Sequence, residues 1–380
     1  MNLDILSVFI IVSIAQGLFV MFMLWRMEST SKYSNLFLAL VIACFTWYLL
    51  EFLFIKKKID VGFYLMYGTR YGAWLLLGPL LWLYLKSYFD SGFRPGRWNL
   101  THFLPFVIIT VLIPLFSDKL LTWRSVDYGM LTVFDNWNRD PISIPQYIYG
   151  SIFIVQFLHV AAYVWFGFLF LNAVESGLKN EYSNFNPVNI KWHKVFLLLT
   201  IGIIAFTSSY IIFQFLTEQY VRNADYFYVI PMAGAIYILL YHAIKFPNLI
   251  FKYNLSDGVE KYQKSSLAAN VSQVYLQQLQ DLIEKEKLYL NRELRLKDLA
   301  DELGISTHHL SQAINENLNK NFFELINEYR VEAAKNKITN EAEKSILQVA
   351  FEVGFNNKVS FNNAFKKYVG MTPTRYRQSA

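Results

Sequence analysis

The sequence predicts an all-α protein: a seven-helix transmembrane bundle followed by a soluble domain of two helix-turn-helix units joined by a linker helix. Three observations carry this expectation. Of 380 residues, 54% are hydrophobic and 17% charged, against roughly a quarter charged in soluble globular chains, which excludes an ordinary soluble enzyme. Charge is uneven: residues 1–245 hold 17 basic and 13 acidic residues in long apolar runs, whereas residues 246–380 hold 18 and 16 in little more than half the length. Finally, a glycine turn between two patterns of helical period occurs twice in the second half. The boundaries follow as 1–245 for the membrane part, 246–270 for a connector and 271–380 for the soluble domain.

A hydrocarbon core about 30 Å thick needs roughly 20 mainly apolar helical residues. Stretches of that kind run over 3–25, 36–55, 63–85, 100–116, 147–171, 195–217 and 226–244. The first lacks a basic start and a small-residue cleavage site, so it reads as a membrane helix rather than a signal peptide. An odd count puts the termini on opposite sides, and a cytoplasmic C-terminal domain then requires the N-terminus outside. In that orientation ten Lys and Arg, from Arg26 to Lys252, lie inside and seven outside. Lys56, Lys57 and Lys58 run against the positive-inside trend.

The outer segment 117–145 combines Asp118, Asp127, Asp135 and Asp140 with Trp123 and Trp137. It reads as a solvated loop with interfacial tryptophans, the alternative being a ligand lid. Within the spans Glu51, Arg70, His159 and His242 are groups that hydrocarbon penalises; Glu51 and Arg70 have opposite signs, and the histidines read as hydrogen-bonded packing residues. Pro79, Pro105, Pro114 and Pro231 offer kinks that neighbouring helices satisfy. The single cysteine, Cys44, has no disulfide partner and reads as a small buried hydrophobe.

After residue 246 a polar connector leads into an amphipathic helix carrying Val271, Val274, Leu279, Leu282 and Ile283. By chain continuity this connector is the expected route from membrane to soluble domain. Leu296, Leu299, Ala300 and Leu303 then line a supporting helix. Gly304 supplies the turn, Ile305 plugs the core and Ser306 caps a second helix whose Leu310, Ala313 and Ile314 point inward. His308, His309, Ser311, Gln312 and Asn315 are left for the outer face. Residues 322–338 read as an unbroken helix, a rigid spacer.

The pattern then repeats. Ile346, Val349, Ala350 and Val353 line a supporting helix, Gly354 and Phe355 form turn and plug, and Asn356 or Asn357 caps a helix with Phe361, Ala364 and Phe365 inward. Lys358, Val359, Asn362, Asn363 and Lys366 face outward. Residues 357–380 hold Lys358, Lys366, Lys367, Arg375 and Arg377 and no acid, a local attraction for phosphate. Paired small helices of this kind place the second helix in a major groove.

These residues resemble the DNA-binding domain of the AraC family of bacterial transcription regulators. The resemblance rests on Leu299-Ala300 with Gly304-Ile305-Ser306, on Asn321-Phe322-Phe323 through Tyr329-Arg330-Val331 with Ala334, and on Ala350 and Gly354-Phe355 with Phe361, Phe365-Lys366-Lys367, Gly370, Thr372-Pro373 and Tyr376-Arg377. It implies two recognition helices in successive major-groove segments of double-stranded DNA. It implies base or phosphate contacts from His308, His309 and Gln312 in the first unit and from Lys358, Val359, Asn362 and Asn363 in the second. The family more often has a polar residue where Val359 stands and a basic one where Asn363 stands; a valine can still meet a thymine methyl, and an asparagine can pair with adenine. The whole chain also looks like a membrane-bound variant of Bacteroidetes type, through Gly78-Pro79-Leu80 to Lys86, His102 to Pro105, and Lys261 to Leu267.

The expectation is a regulator of the inner (cytoplasmic) membrane, its transmembrane part sensing a small-molecule or envelope signal and controlling the DNA-binding part, with a homodimer as a further candidate partner. No catalytic centre, cofactor or metal is called for. A transporter or membrane enzyme with a fused DNA-binding domain is the alternative, and a membrane-anchored protein-interaction module a third reading.

Overall fold

Runs of Leu, Ile, Val and Phe fold here as long helices, which satisfy their own backbone groups wherever water is excluded. In the computed structural model, residues 4–26, 32–57, 69–90, 92–108, 144–184, 188–217, 226–245 and 269–379 are described. The chain divides into two compact units, Met1–Leu171 with Asn189–Gly258, and Asn172–Val188 with Val259–Ala380. Among the described residues there is no β-strand, only an isolated antiparallel bridge between Tyr182 and Arg295.

The first unit contains α1 (Ile5–Arg26), α2 (Lys32–Lys57), α3 (Thr69–Phe89), the first part of α4 (Ile144–Glu181), α5 (Val188–Thr217) and α6 (Tyr226–Lys245). Small polar residues in these helices bond their own backbone: Ser13 donates to the Phe9 carbonyl at 2.7 Å, Thr46 to that of Ile42 at 2.8 Å and Thr207 to that of Ile203 at 2.7 Å. A hydroxyl so satisfied sits in an apolar interior at little cost. Asn35 on α2 donates to the Leu24 carbonyl of α1 at 3.1 Å, and Phe9 of α1 stacks on Tyr237 of α6 at 5.5 Å. His193 is buried in a ring of Tyr84, Tyr88 and Phe89, 2.9 Å from the Tyr84 hydroxyl. His159 packs edge-on against Tyr163, whose hydroxyl meets Nδ1 of His102 at 2.6 Å. Cys44 lines a small apolar pocket with Trp74, Leu77 and Met232.

The count of seven spans does not stand among the described residues. Four helices are long and apolar enough to cross a membrane: Ile5–Arg26, Tyr33–Phe54, Ile154–Glu181 and Ile190–Ser209. The expected third span corresponds to α3, which carries Arg70 and Lys86 and many Tyr and Trp; Trp74, Leu75, Leu77, Leu80, Leu81 and Leu83 are all buried, so it is a core helix of its unit. The expected fourth begins as a 3-10 turn, Arg97–Phe103, and one α turn, Leu104–Phe106, with Pro105 at its start. Within the expected seventh, which is α6, the apolar helical stretch among the described residues is Val229–Tyr241. Glu51 is buried. The side chains of Arg70 and His242, the loop 117–143 and the connector 246–268 lie outside the described residues.

The second unit contains α7 (Ala269–Glu286), α8 (Leu296–Leu303), α9 (Thr307–Leu318), α10 (Phe322–Asn340), α11 (Ile346–Glu352), α12 (Lys358–Val369) and α13 (Pro373–Ser379). Its two cores share α10. Phe322, Leu325 and Ile326 pack with Leu279, Leu299, Leu310 and Ile314, while Val331, Ala334 and Ile338 pack with Val349, Val353, Phe361 and Phe365. Residues 172–188, which the sequence places as a mere connection between spans, belong to this unit. The connector 246–270 is therefore not the sole covalent path between the units, because the chain also crosses at both ends of 172–188.

Candidate nucleic-acid interface

The two helix-turn-helix units are the same local structure built twice. Gly304 at φ 67° and Gly354 at φ 99° adopt the left-handed backbone that ends a supporting helix. The next residue returns its N–H to that helix, Ile305 to the Ala300 carbonyl and Phe355 to that of Ala350, each at 3.0 Å. Ser306 Oγ then accepts from the His309 N–H at 3.1 Å, and Asn357, rather than Asn356, accepts from Ser360 at 2.8 Å. These are N-caps that fix where each recognition helix begins.

Side chains on the two recognition helices differ in freedom. On α9, His309 stacks on Tyr275 of α7 with ring centres 6.5 Å apart and meets His308 edge-on at 5.9 Å. Gln312 donates to Glu316 at 2.7 Å, and Asn315 to the Ser311 carbonyl at 2.9 Å. On α12, Lys358, Val359, Asn363 and Lys366 are exposed and Asn362 half-buried; Val359, at 68% exposure, is the large apolar side chain this helix presents to solvent. Lys367 instead turns to α10, where its Nζ lies 2.7 Å from Glu324, while the Tyr368 hydroxyl donates to the Glu324 carbonyl at 2.9 Å. Burial alone raises the Glu324 carboxyl, but the bonds from Lys367 and the Asn321 N–H outweigh it and hold it below the usual range. Arg375 on α13 is exposed.

The residue that sequence reasoning left without a role is Arg330. It lies in the α10 stripe Ile326, Arg330, Ala334 and Ile338, a charge on an otherwise buried helical face, and that spacing is the signal by which it was findable. It is fully buried at the seam of the two cores. Nε donates to the Tyr289 carbonyl at 2.7 Å, Nη2 to that of Asn291 at 2.8 Å, and Nη1 to that of Ser183 at 2.9 Å, with Ser183 Oγ 3.1 Å from Nη2. The guanidinium also lies 5.7 Å from the ring of Phe355. Burial pushes its pKa down to about 9, and oxygen acceptors all round keep it cationic at neutral pH. No signal in the sequence points to Ser183 or Asn184 as partners.

Residues 299–379 match the helix-turn-helix domain family. Over 91 residues the chain is 33% identical to an uncharacterized HTH-type transcriptional regulator of Staphylococcus aureus (strain COL), covering 24% of this chain and 12% of that protein. Over 123 residues it is 27% identical to the Msm operon regulatory protein of Streptococcus mutans serotype c, covering 30% of this chain and 44% of the relative. The chain thus spans well under two thirds of either. Among solved structures it is similar to the C-terminal domain of AraT, a response regulator from Geobacillus stearothermophilus, with 28% identity and a TM-score of 0.25 over 30% of this chain and 89% of that one. With its two capped glycine-turn units on one linker helix, the segment 299–379 is a helix-turn-helix domain.

Proposed function

We propose that the protein is a membrane-embedded, sequence-specific transcription regulator whose membrane part senses a signal and controls the helix-turn-helix domain. One observation carries the reading: a single chain joins a two-unit DNA-binding domain to long helices whose large apolar side chains face outward. Leu158 is 65% and Trp165 64% exposed, with Phe19, Phe22 and Leu198 also outward. A soluble unit would bury them, whereas lipid would cover them.

In this reading the chain sits in the inner (cytoplasmic) membrane with the C-terminal domain on the side of the chromosome. Base edges are met by His308, His309 and Gln312 from α9 and by Val359, Asn362 and Asn363 from α12. Lys358, Lys366 and Arg375 supply phosphate contacts, which position without specifying, while Lys367 is held back by Glu324. The function needs no catalytic centre and no cofactor. Genome-wide mapping of DNA bound to the membrane-tethered chain tests it. Recovery of a shared bipartite sequence is the expected result; membrane-fractionated protein that enriches no DNA would sink the reading and favour the transporter or protein-interaction alternatives.

A further inference from the structure

Three consecutive residues at the end of the 172–188 excursion are threaded into the seam of the DNA-binding unit. Tyr182 forms an antiparallel bridge with Arg295, whose guanidinium lies 5.3 Å from the Tyr182 ring. Ser183 is fully buried; its N–H and its hydroxyl both donate to the Leu294 carbonyl, at 3.2 and 2.7 Å, while its carbonyl and Oγ receive Arg330. The Asn184 amide donates at 2.7 Å to the carbonyl of Arg292, which leads into the first helix-turn-helix unit, and at 2.9 Å to that of Gly354, the turn of the second. One side chain thereby ties the entrance of one reader to the turn of the other.

From this geometry we infer that the segment 182–184 is a latch that holds the two helix-turn-helix units in their DNA-reading arrangement, and that its withdrawal is how the membrane part lowers DNA occupancy. The inference rests on the functional reading above and adds its regulation. Two facts favour a docked, binding-competent state. Withdrawing Ser183 would remove two of the four acceptors around Arg330, and a buried cation deprived of acceptors is strongly disfavoured. Reading two half-sites with one domain also requires both recognition helices at a fixed separation, because interactions made together are lost together when the geometry loosens. The latch directly follows α4, which ends at Glu181 and whose earlier part, to Leu171, belongs to the first unit. A rotation or axial shift of α4 therefore acts on the latch without passing through the connector.

The test uses the full chain in its native membrane, with Cys44 replaced by Ala. Tyr182→Cys with Arg295→Cys should crosslink on mild oxidation, since bridged antiparallel residues have Cα atoms about 4.5 to 5.5 Å apart, within disulfide reach. Occupancy of the mapped DNA should survive this lock. Asn184→Ala, at the rim of the seam, and Ser183→Ala should each lower occupancy of bipartite sites by about tenfold, as expected for a lost bond between preorganised parts, with an unchanged salt slope and unchanged protein in the membrane. Asn184→Ala guards against misfolding of the Ser183 variant. Equal occupancy in locked, wild-type and Asn184→Ala chains, or a gain in the Asn184→Ala chain, would overturn the latch. A wild-type chain that binds no DNA, yet still crosslinks, would overturn the functional reading instead, and the regulation inferred from it.

Discussion

A Cβ placed on Gly354 would stand 2.8 Å from Nε of Arg330 and 2.5 Å from the Tyr289 carbonyl oxygen that Nε bonds. The turn of the second helix-turn-helix unit and the buried cation of the linker helix therefore exclude any larger residue at 354. The equivalent Gly304 has the same left-handed backbone but open space around its missing Cβ. The pair predicts unequal effects of the same substitution. Gly304→Ala should cost about 1 kcal/mol, the strain of placing an L residue in that backbone region. Gly354→Ala should cost about 3 kcal/mol or more, because steric displacement of a buried hydrogen-bonded group adds to that strain. Pulse proteolysis of the C-terminal domain within the full chain would rank them, and equal susceptibility would contradict the packing described.

The Glu324–Lys367 pair predicts how charge is held back from DNA. Glu324→Gln should release Lys367 toward phosphate, strengthen binding to all sequences alike and steepen the salt dependence by about one counterion. Acid should act in the same direction. The folded carboxyl is lowered, so its contribution to stability is complete above its unfolded pKa and is lost as pH falls through the lower folded value. Both groups are partly exposed, so that stability contribution is small. Binding isotherms across salt for the wild type and Glu324→Gln are the measurement; identical slopes would show that Lys367 never reaches the backbone.

Gln312 and Lys366 should separate specificity from affinity. Gln312→Ala should cost about 1 to 3 kcal/mol at one base position, as for a bidentate edge contact, after the Gln312 amide has exchanged Glu316 for DNA. Lys366→Ala should weaken random and specific DNA equally. Equal losses on both kinds of DNA for Gln312→Ala would remove it from base readout.

Outward apolar residues predict lipid contact. Leu158→Arg, on α4, should lower membrane insertion, with a cost of about 2.5 to 3.5 kcal/mol expected for a charge near the helix centre. Because residues 172–188 and 259–380 belong to one unit, reporter fusions after Lys179 and after Ala380 should both behave as cytoplasmic. A Leu158→Arg chain as resistant to alkali extraction as the wild type, with normal abundance and unchanged proteolysis, would argue that this face meets water.

Much of the C-terminal part was legible because its determinants are local. Ser306 and Asn357 bond N–H groups three residues away, Gly304 and Gly354 are demanded by backbone sign, and the apolar spacing of Leu310, Ala313 and Ile314 selects a buried face. None of these depends on where the rest of the chain goes. The outward positions of α12 followed from the same period, whereas the diversion of Lys367 to Glu324 required knowing that α10 lies beside it.

By itself the sequence determined the helical class, the placement of two glycine turns and their caps, and the apolar character of the first 245 residues. Tertiary structure decided which apolar side chains turn inward: Leu75, Leu77, Leu80, Leu81 and Leu83 of α3 are buried, whereas Leu18, Phe19 and Phe22 of α1 are exposed. Hydrophobicity drives a side chain out of water without specifying whether protein or lipid replaces it. It also decided the partners of Arg330. Its acceptors include the backbone carbonyls of Ser183, Tyr289 and Asn291, and a carbonyl is common to every residue, so no residue type in the sequence could announce that contact.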